Sequence, residues 1–511
     1  EIPLGRRSFG VQAASRAYFD KDVDQLQLHE MAFLAILPKA PEKYGRARYE
    51  AEALARRNFV LGSMASNGWI TTAQRDAARA MPLGLTSSGN TAVAQVGGYY
   101  MEEVRRQLID QFGETPEDGP LSVYGGGLWV RTPYDDKMQQ AATGALRRGL
   151  VRYDTGKGWS GPIARIEADD KWRSRLASSF IGIDYDNWRV AAVLAKTAGE
   201  ARIGFADGEE GRLPAGAASM GYRKTGGSAF SAMRPGDLIA VKATGPGVYT
   251  LKNIPEVSGG MVVESPHSGR IYAMQGGFDV RLSPFNRATQ AERQPGSTIK
   301  PFVYATALDN GMTPATLIVD GPFCVYQGAR FGNKCFRNFG GASGSGEHTM
   351  RWGLEQSRNL MTVRTASQIG MEPIVETIKT MGIGTHEPYL STALGAGSTT
   401  VEKMVNAFSM LANHGRELKP RLIDYVQDRR GKVIFPKNWR PCDGCNSDDW
   451  DGKPMPRFTP SGKQLMDPMT AYQTVHMLEG VVQRGTAVRL RDLGVPLFGK
   501  TGTTSGPKDE W

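Results

Sequence analysis

Cysteine, histidine and long apolar runs are all scarce in this 511-residue sequence, and each scarcity removes a class of function. The longest apolar run near the start, Met31 to Leu37, is far shorter than the roughly 20 residues a membrane helix needs, and no secretory leader pattern is visible. Six histidines, His267 and His476 among them, are scattered without ligand spacing, so they read as structural residues, not metal ligands. A net charge of +10 is spread along the chain without a dense Lys/Arg block. Basic residues do not interleave with aromatics as they do in nucleic-acid readers, and Arg364 reads as a surface or packing residue. A solvated basic surface is the plainest reading, and an anionic cell-wall polymer or membrane surface would also suit the charge. Low-complexity tracts and internal repeats are absent, which excludes solenoids and disordered scaffolds.

The four cysteines form two close pairs, Cys324 with Cys335 and Cys442 with Cys445. No histidine or second C-x-x-C stands near enough to complete a zinc site, and no βαβ context supports a redox motif. Two local disulfides in an oxidising compartment such as the periplasm are expected, with three connectivities open.

What is present is a chain long enough for two to four domains. Residues 1–84 read as helical: "DVDQLQLHEMAFLAILPKAP" has helical apolar spacing up to Pro38 and Pro41, and "YEAEALARRNFVLGSMASNGWIT" stops at Asn67-Gly68. Residues 85–155 read as a linker region holding a helix, a strand ("GLWVRTPY") and another helix. From 156 to 256 short alternating segments punctuated by Gly and Pro suggest a small antiparallel β module of five or so strands, OB-like in size. Residues 257–511 open with a hairpin around Pro266–Gly269, continue through several helices and end near a late apolar strand, "GVPLFGKTGTTSG". Strands at both ends with helices between them favour an α+β domain whose sheet comes from distant parts of the chain. Met404 and Met410 fit a core helix.

Within that last domain, "QPGSTIKPFVYATAL" places Ser297 at a helix start and Lys300 one turn on, on the same face. A serine hydroxyl is a weak nucleophile without a base, and lysine serves as that base only when burial or a nearby cation keeps it neutral. S-x-x-K alone is cheap, recurring at Ser505–Lys508. S-x-N also occurs at Ser88–Asn90 and K-T-G at Lys224–Gly226, in settings that lack the helix or strand. One ordered set remains: Ser297/Lys300, then Ser357-Arg358-Asn359, then Lys500-Thr501-Gly502-Thr503. This is the triple of serine β-lactamases and penicillin-binding proteins.

Nearly the whole chain resembles a class A penicillin-binding protein of the 1a type. "RQPGSTIKPFVYATALDNG", "SRN", "TTVEKMVNAFSMLANHG" and "GKTGTT" are similar to transpeptidase signatures. Residues 1–84 look like the closing, mainly α, part of a glycosyltransferase domain, and 156–256 like the family's OB-like insertion. The implied fold is multidomain, with an α+β serine transpeptidase domain of the penicillin-binding/β-lactamase-like type. The resemblance makes Ser297 the nucleophile on a D-Ala–D-Ala stem peptide, Lys300 its base and Ser357 the proton relay, with Lys500 biasing both. It makes Asn359, Thr501, Gly502 and Thr503 the substrate-binding set, with the backbone N–H groups of Ser297 and Thr503 as the oxyanion hole.

No cofactor is implied for transpeptidation, while a divalent metal is left open for the glycosyltransferase portion ahead of Glu1. That portion would hold the catalytic glutamates, so the segment itself is not expected to polymerise glycan. At the other end, family members carry further strands beyond the K-T-G motif, and the domain is expected to be incomplete at Trp511. Peptidoglycan stem peptides and glycan strands, β-lactams and cell-wall assembly proteins are the implied partners. The implied location is the bacterial inner membrane, through a single N-terminal anchor, with the catalytic domains in the periplasm.

Two alternatives stand beside this reading. One is a serine β-lactamase or D,D-carboxypeptidase on the same triple, for which Glu402 and Asn406 superficially supply a deacylating pair. The other is a non-catalytic cell-wall scaffold.

Overall fold

The computed structural model describes all residues except 1, 3, 7, 9, 20, 46–48, 86–97, 327, 328, 331, 438–451, 453–461 and 505–509. The chain divides into two compact units, Glu1–Val96 and Gly97–Trp511. Among the described residues no helix is long and apolar enough to cross a membrane.

The first unit is helical: α1 (Val11–Phe19), α2 (Leu28–Leu34), α3 (Pro41–Tyr44), α4 (Glu50–Ser66) and α5 (Thr72–Ala80). The segment read as helical up to Pro38 and Pro41 is broken into shorter pieces. Three-residue 3₁₀ turns occupy Val23–Gln25 and Leu37–Lys39, and both prolines sit in the first turn of a short helix. There the missing N–H has no intrahelical partner to lose. Tyr18 and Phe33 meet edge to face at 5.4 Å in the core. Arg57 on α4 is fully buried and donates to the carbonyls of Arg79 (3.1 Å), Met81 (2.7 Å) and Pro82 (3.2 Å). It thereby fastens α4 to the end of α5 by satisfying carbonyls the helix cannot.

The second unit opens with α6 (Gly98–Phe112), β1 (Trp129–Arg131) and α7 (Asp136–Asp154), the last capped by Asp135, whose carboxylate accepts from the Met138 N–H at 2.9 Å. A β module follows: β2 (Ala164–Arg165), α8 (Trp172–Ser178), β3 (Trp188–Lys196), β4 (Glu200–Gly204), β5 (Glu210–Pro214), α9 (Ala229–Ala232), β6 (Asp237–Gly245) and β7 (Val248–Lys252). Strands β6-β3-β4-β5-β7 run in that order, and β7 pairs back onto β6, which closes a five-stranded barrel with β2 added outside. Its core holds Trp159, Val193, Ile203, Phe205, Leu213, Ile239, Val241 and Leu251. Closure removes the free edges that an open sheet of this size would expose.

The remaining elements surround one helix. Hairpin β8 (Met261–Glu264)/β9 (Ile271–Gln275) is antiparallel as expected. Helix α10 (Lys300–Asp309) follows, then β10 (Leu317–Asp320), β11 (Phe323–Tyr326), β12 (Asn333–Phe336) and β13 (Gly346–Thr349). Helices α11 (Met350–Glu355), α12 (Asn359–Ile369), α13 (Met371–Thr380), α14 (Val401–Ala412) and α15 (Pro468–Gln483), with strands β14 (Tyr425–Gln427) and β15 (Val433–Phe435), complete it. Helix α10 buries Phe302, Val303, Tyr304, Ala305 and Ala307 completely. A helix apolar on every face can only be a core helix, and each large side chain so buried stabilises by about 1.5–3 kcal/mol. Met404 and Met410 lie in this core. β11 and β12 pair with Cys324 opposite Cys335, which are joined by a disulfide. Cys442 and Cys445 lie outside the described residues.

One expectation is corrected. The K-T-G run is not a strand, and the β8–β9 hairpin is not joined by it into a larger sheet among the described residues. Residues 495 and 496 are exposed and 497–500 partly so, and among the described residues no backbone hydrogen bond joins this run to a neighbouring strand.

Candidate active site

The serine turn and the helix it feeds differ slightly from a regular helix start. Gly296–Ile299 is a 3₁₀ turn, and the Lys300 N–H donates to the Ser297 carbonyl. Pro301 has no N–H to offer that carbonyl, so the α pattern begins one turn late. Ser297 stays partly exposed while Lys300 is 0% exposed.

Lys300 Nζ donates to the Ser357 carbonyl at 2.7 Å, to Asn359 Oδ1 at 2.7 Å and to Ser357 Oγ at 3.3 Å. Lys500 Nζ reaches the same Ser357 Oγ at 2.8 Å and the Thr501 carbonyl at 2.9 Å. Two lysines 200 residues apart in sequence therefore converge on one hydroxyl. Burial first, then the positive charges of Lys500 and Arg358, hold the Lys300 amine well below the ordinary 10.5. Burial brings Lys500 down to about 7. In a neutral amine the two hydrogens serve the two 2.7 Å contacts, and the 3.3 Å contact with Ser357 Oγ then falls on the lone-pair side, where a hydroxyl is the donor. Among the described residues the Ser297 hydroxyl makes no hydrogen bond, so the contact through which Lys300 would take its proton is not closed here.

Backbone contact carries the K-T-G motif to the serine. Gly296 has φ +52°, and a Cβ there would lie 2.6 Å from the Thr503 carbonyl oxygen and 3.2 Å from the Thr503 nitrogen. A Cβ on Gly502 would lie 2.4 Å from the Pro295 carbonyl oxygen. Glycine at both places lets the two backbones touch, which sets the Thr503 amide beside the Ser297 turn. Thr501 Oγ1 and Thr486 Oγ1 are 2.8 Å apart. Asn359 uses Oδ1 for Lys300 and donates Nδ2 to the Arg337 carbonyl at 3.0 Å, which leaves one position at each end by hydrogen-bond count.

Ser357 adopts φ +56°, a left-handed conformation unusual for serine and costing about 1–3 kcal/mol. Next to it, Arg358 donates through Nε and a terminal nitrogen to one oxygen of Asp320, at 2.8 and 2.5 Å. Arg358, Asp320 and Thr486 were not singled out from the sequence. An ion pair spanning 38 residues leaves no periodic or motif signal.

The rival carboxylate lies elsewhere. Glu402 is raised to about 7 by burial and by the neighbouring Glu103 and Glu264, and Asn406 donates to Glu264 at 2.9 Å. Of the histidines, His348 stacks on Trp352 at 3.8 Å and His476 lies 3.4 Å from Glu479, both structural contacts.

Three family models match the chain: the penicillin binding protein transpeptidase domain over 259–510, the transglycosylase over 1–65 and the penicillin-binding protein OB-like domain over 159–257. The chain is 36% identical over 513 residues to penicillin-binding protein 1A of Rickettsia prowazekii (strain Madrid E), covering 99% of this chain and 64% of that protein. It is 31% identical over 519 residues to penicillin-binding protein 1A of Neisseria flavescens, covering 100% and 62% respectively. The crystal structure of penicillin-binding protein 1A from Haemophilus influenzae superposes with a TM-score of 0.70 at 28% identity, over 100% of this chain and 77% of that one. The chain thus spans slightly less than two thirds of the length of these curated relatives. With relatives aligned from end to end of the chain and all three modules matched in order, the chain belongs to the class A penicillin-binding proteins of the 1a type.

Proposed function

We propose that residues 257–511 carry a penicillin-sensitive D,D-transpeptidase that cross-links peptidoglycan through a serine acyl-enzyme. The observation that supports it most is the convergence of Lys300, Ser357 and Lys500, with burial and the charges of Lys500 and Arg358 holding the Lys300 amine well below its ordinary range. Ser297 Oγ attacks the carbonyl between the two D-alanines, and its proton passes to Lys300. The C–O bond forms and the C–N bond breaks as Ser357 delivers a proton, resupplied from Lys300, to the departing amine. The acceptor amine of a second stem peptide then attacks the ester, and its proton returns to the Ser297 oxygen. Backbone N–H groups of Ser297 and Thr503 steady the negative oxygen, a contribution of about 3–4 kcal/mol per donor in comparable sites. Thr501, Gly502 and Thr503, with Lys500, receive the substrate carboxylate, and Asn359 holds the substrate amide. A β-lactam would be attacked in the same way, and no metal or organic cofactor enters these steps.

The whole protein, on this reading, also polymerises glycan from lipid II and is anchored in the inner membrane, with cell-wall assembly proteins as further partners. Intact-mass measurement after exposure to penicillin tests the transpeptidase reading. The chain should gain the mass of the drug and Ser297→Ala should gain none. A folded wild-type sample that stays unmodified, or that turns the drug over without a stable adduct, would refute it.

A further inference from the structure

The S-x-N turn is held by a network centred on one buried carboxylate. Asp320, 0% exposed at the end of β10, takes both bonds from Arg358 on Oδ2, together with the Ser345 N–H (3.1 Å) and hydroxyl (2.8 Å). Its Oδ1 accepts from Asn338 Nδ2 at 2.9 Å. Asn338 Oδ1 in turn accepts from the Leu360 N–H at 3.2 Å, one of the unpaired amides in the first turn of α12. The carboxylate therefore grips the Ser357–Asn359 segment twice, through the Arg358 side chain and through the helix that begins at Asn359. A serine at φ +56° needs such over-determination to persist.

The pair also has an electrostatic consequence. The elements packed around Lys300 bring two cations, Lys500 and Arg358, and the neutral oxygens of Ser357 and Asn359. The acids on those elements are engaged elsewhere: Asp320 with Arg358, Glu355 of α11 with Arg484, and Asp309, at the other end of α10, with the Thr470 hydroxyl. Tyr304 pairs with Thr362, while α13 turns Glu372, Glu376 and Lys379 outward and α15 turns His476 and Glu479 outward.

We propose that Asp320 and Arg358 form a positioning pair that fixes the left-handed Ser357 turn and sets, by partial neutralisation, how much positive charge reaches Lys300. This rests on the transpeptidase reading above and assigns the middle residue of S-x-N a task that neither flanking residue performs. Sequence position alone does not suggest it, because the acid lies in a different strand.

The signs are opposite for the two partners. Lys300 accepts a proton only when neutral, so acylation falls off below its pKa. Removing the Arg358 charge favours protonated Lys300 and moves that acid limb to higher pH. Removing the Asp320 charge leaves the guanidinium uncompensated and moves the limb to lower pH.

The test is the pH profile of acylation by a fluorescent penicillin in wild type, Arg358→Gln, Arg358→Lys and Asp320→Asn, each checked for cooperative thermal unfolding. Arg358→Gln should shift the acid limb upward by about one pH unit, a tenfold loss of rate on that limb. Arg358→Lys should keep the limb near its wild-type position while slowing acylation, because the charge remains and the two-pronged grip is lost. Asp320→Asn should move the limb downward and also slow acylation. Should Asp320→Asn fail to fold, the contrast between the two Arg358 variants decides. Folded variants whose limbs stay at the wild-type position, or all move the same way, overturn the pair. A wild type that forms no adduct on Ser297 refutes the transpeptidase reading instead, so the two failures are told apart.

Discussion

A lysine that is to work as a base at neutral pH needs its charged form disfavoured, and on the proposed reading full burial and the charges of Lys500 and Arg358 push Lys300 in that direction. Replacing it with alanine should slow penicillin acylation by roughly 100-fold or more, as for other lost general bases, while the thermal transition persists. Lys500 has a separate signature. Its amine, brought down to about 7 by burial, loses charge as pH rises through that value, so carboxylate-bearing ligands should acylate less efficiently above it. Acylation efficiency as a function of pH reports the free enzyme, and Lys500→Arg should move the alkaline limb out of the measured range. At this scale the sequence was informative where chemistry is local. Ser297 and Lys300 are three residues apart, and Ser357-Arg358-Asn359 and Lys500–Thr503 are contiguous, so each cluster reads as a unit. Arg358 stood in plain sight between two motif residues, yet its meaning lies in Asp320, which no local pattern connects to it.

Between elements, glycines decide how closely the pieces of the site approach. A Cβ on Gly395, itself at φ +82°, would lie 2.2 Å from the Gly296 carbonyl oxygen and 2.5 Å from its nitrogen. Gly395→Ala should therefore destabilise the fold by about 1–3 kcal/mol and sharply slow acylation, although no reacting side chain changes. Thermal melts paired with acylation rates check both effects. A second element-level device lies behind the hairpin, where β8 supplies Glu264 and α14 supplies Glu402. Burial is the first cause that raises each to about 7. Carboxyls with raised folded pKa values contribute most at low pH, and that contribution is lost as pH rises from the unfolded value near 4.5 through about 7. Glu264→Gln should accordingly stabilise at pH 8 by about 2 kcal/mol relative to wild type and have little effect near pH 4.5, as read by denaturant melts at both values. Of the elements, the hairpin and the barrel strands were legible because alternation and Gly/Pro punctuation are local signals. The K-T-G strand was misread, and the breaks within the helical segment that ends at Pro38 and Pro41 were not legible, because both depend on partners. A strand exists through its ladder, and a proline that ends one helix can equally begin the next.

At the scale of the whole molecule, each of the two compact units has its own core. The first packs Tyr18, Phe33 and Leu37, and the second is organised around α10 and the closed barrel. Residues that form the proposed acylation site all lie in the second unit. A chain starting at residue 97 should therefore fold and acylate at a rate within about twofold of the longer chain, measured with a fluorescent penicillin, since the second unit carries its own core and all of these residues. The order of modules was legible because a texture change from helical to alternating segments marks the β module even without a single motif. What ties everything to function is the charge state of one side chain. The most direct measurement is an NMR pH titration of the Lys300 side chain in wild type and in Lys500→Met, using isotopically labelled lysine with Lys300→Met for assignment. The expected result is a Lys300 amine that titrates far below 10.5 and moves upward when the Lys500 charge is removed. A Lys300 that titrates near 10.5, unmoved by Lys500→Met, would contradict it.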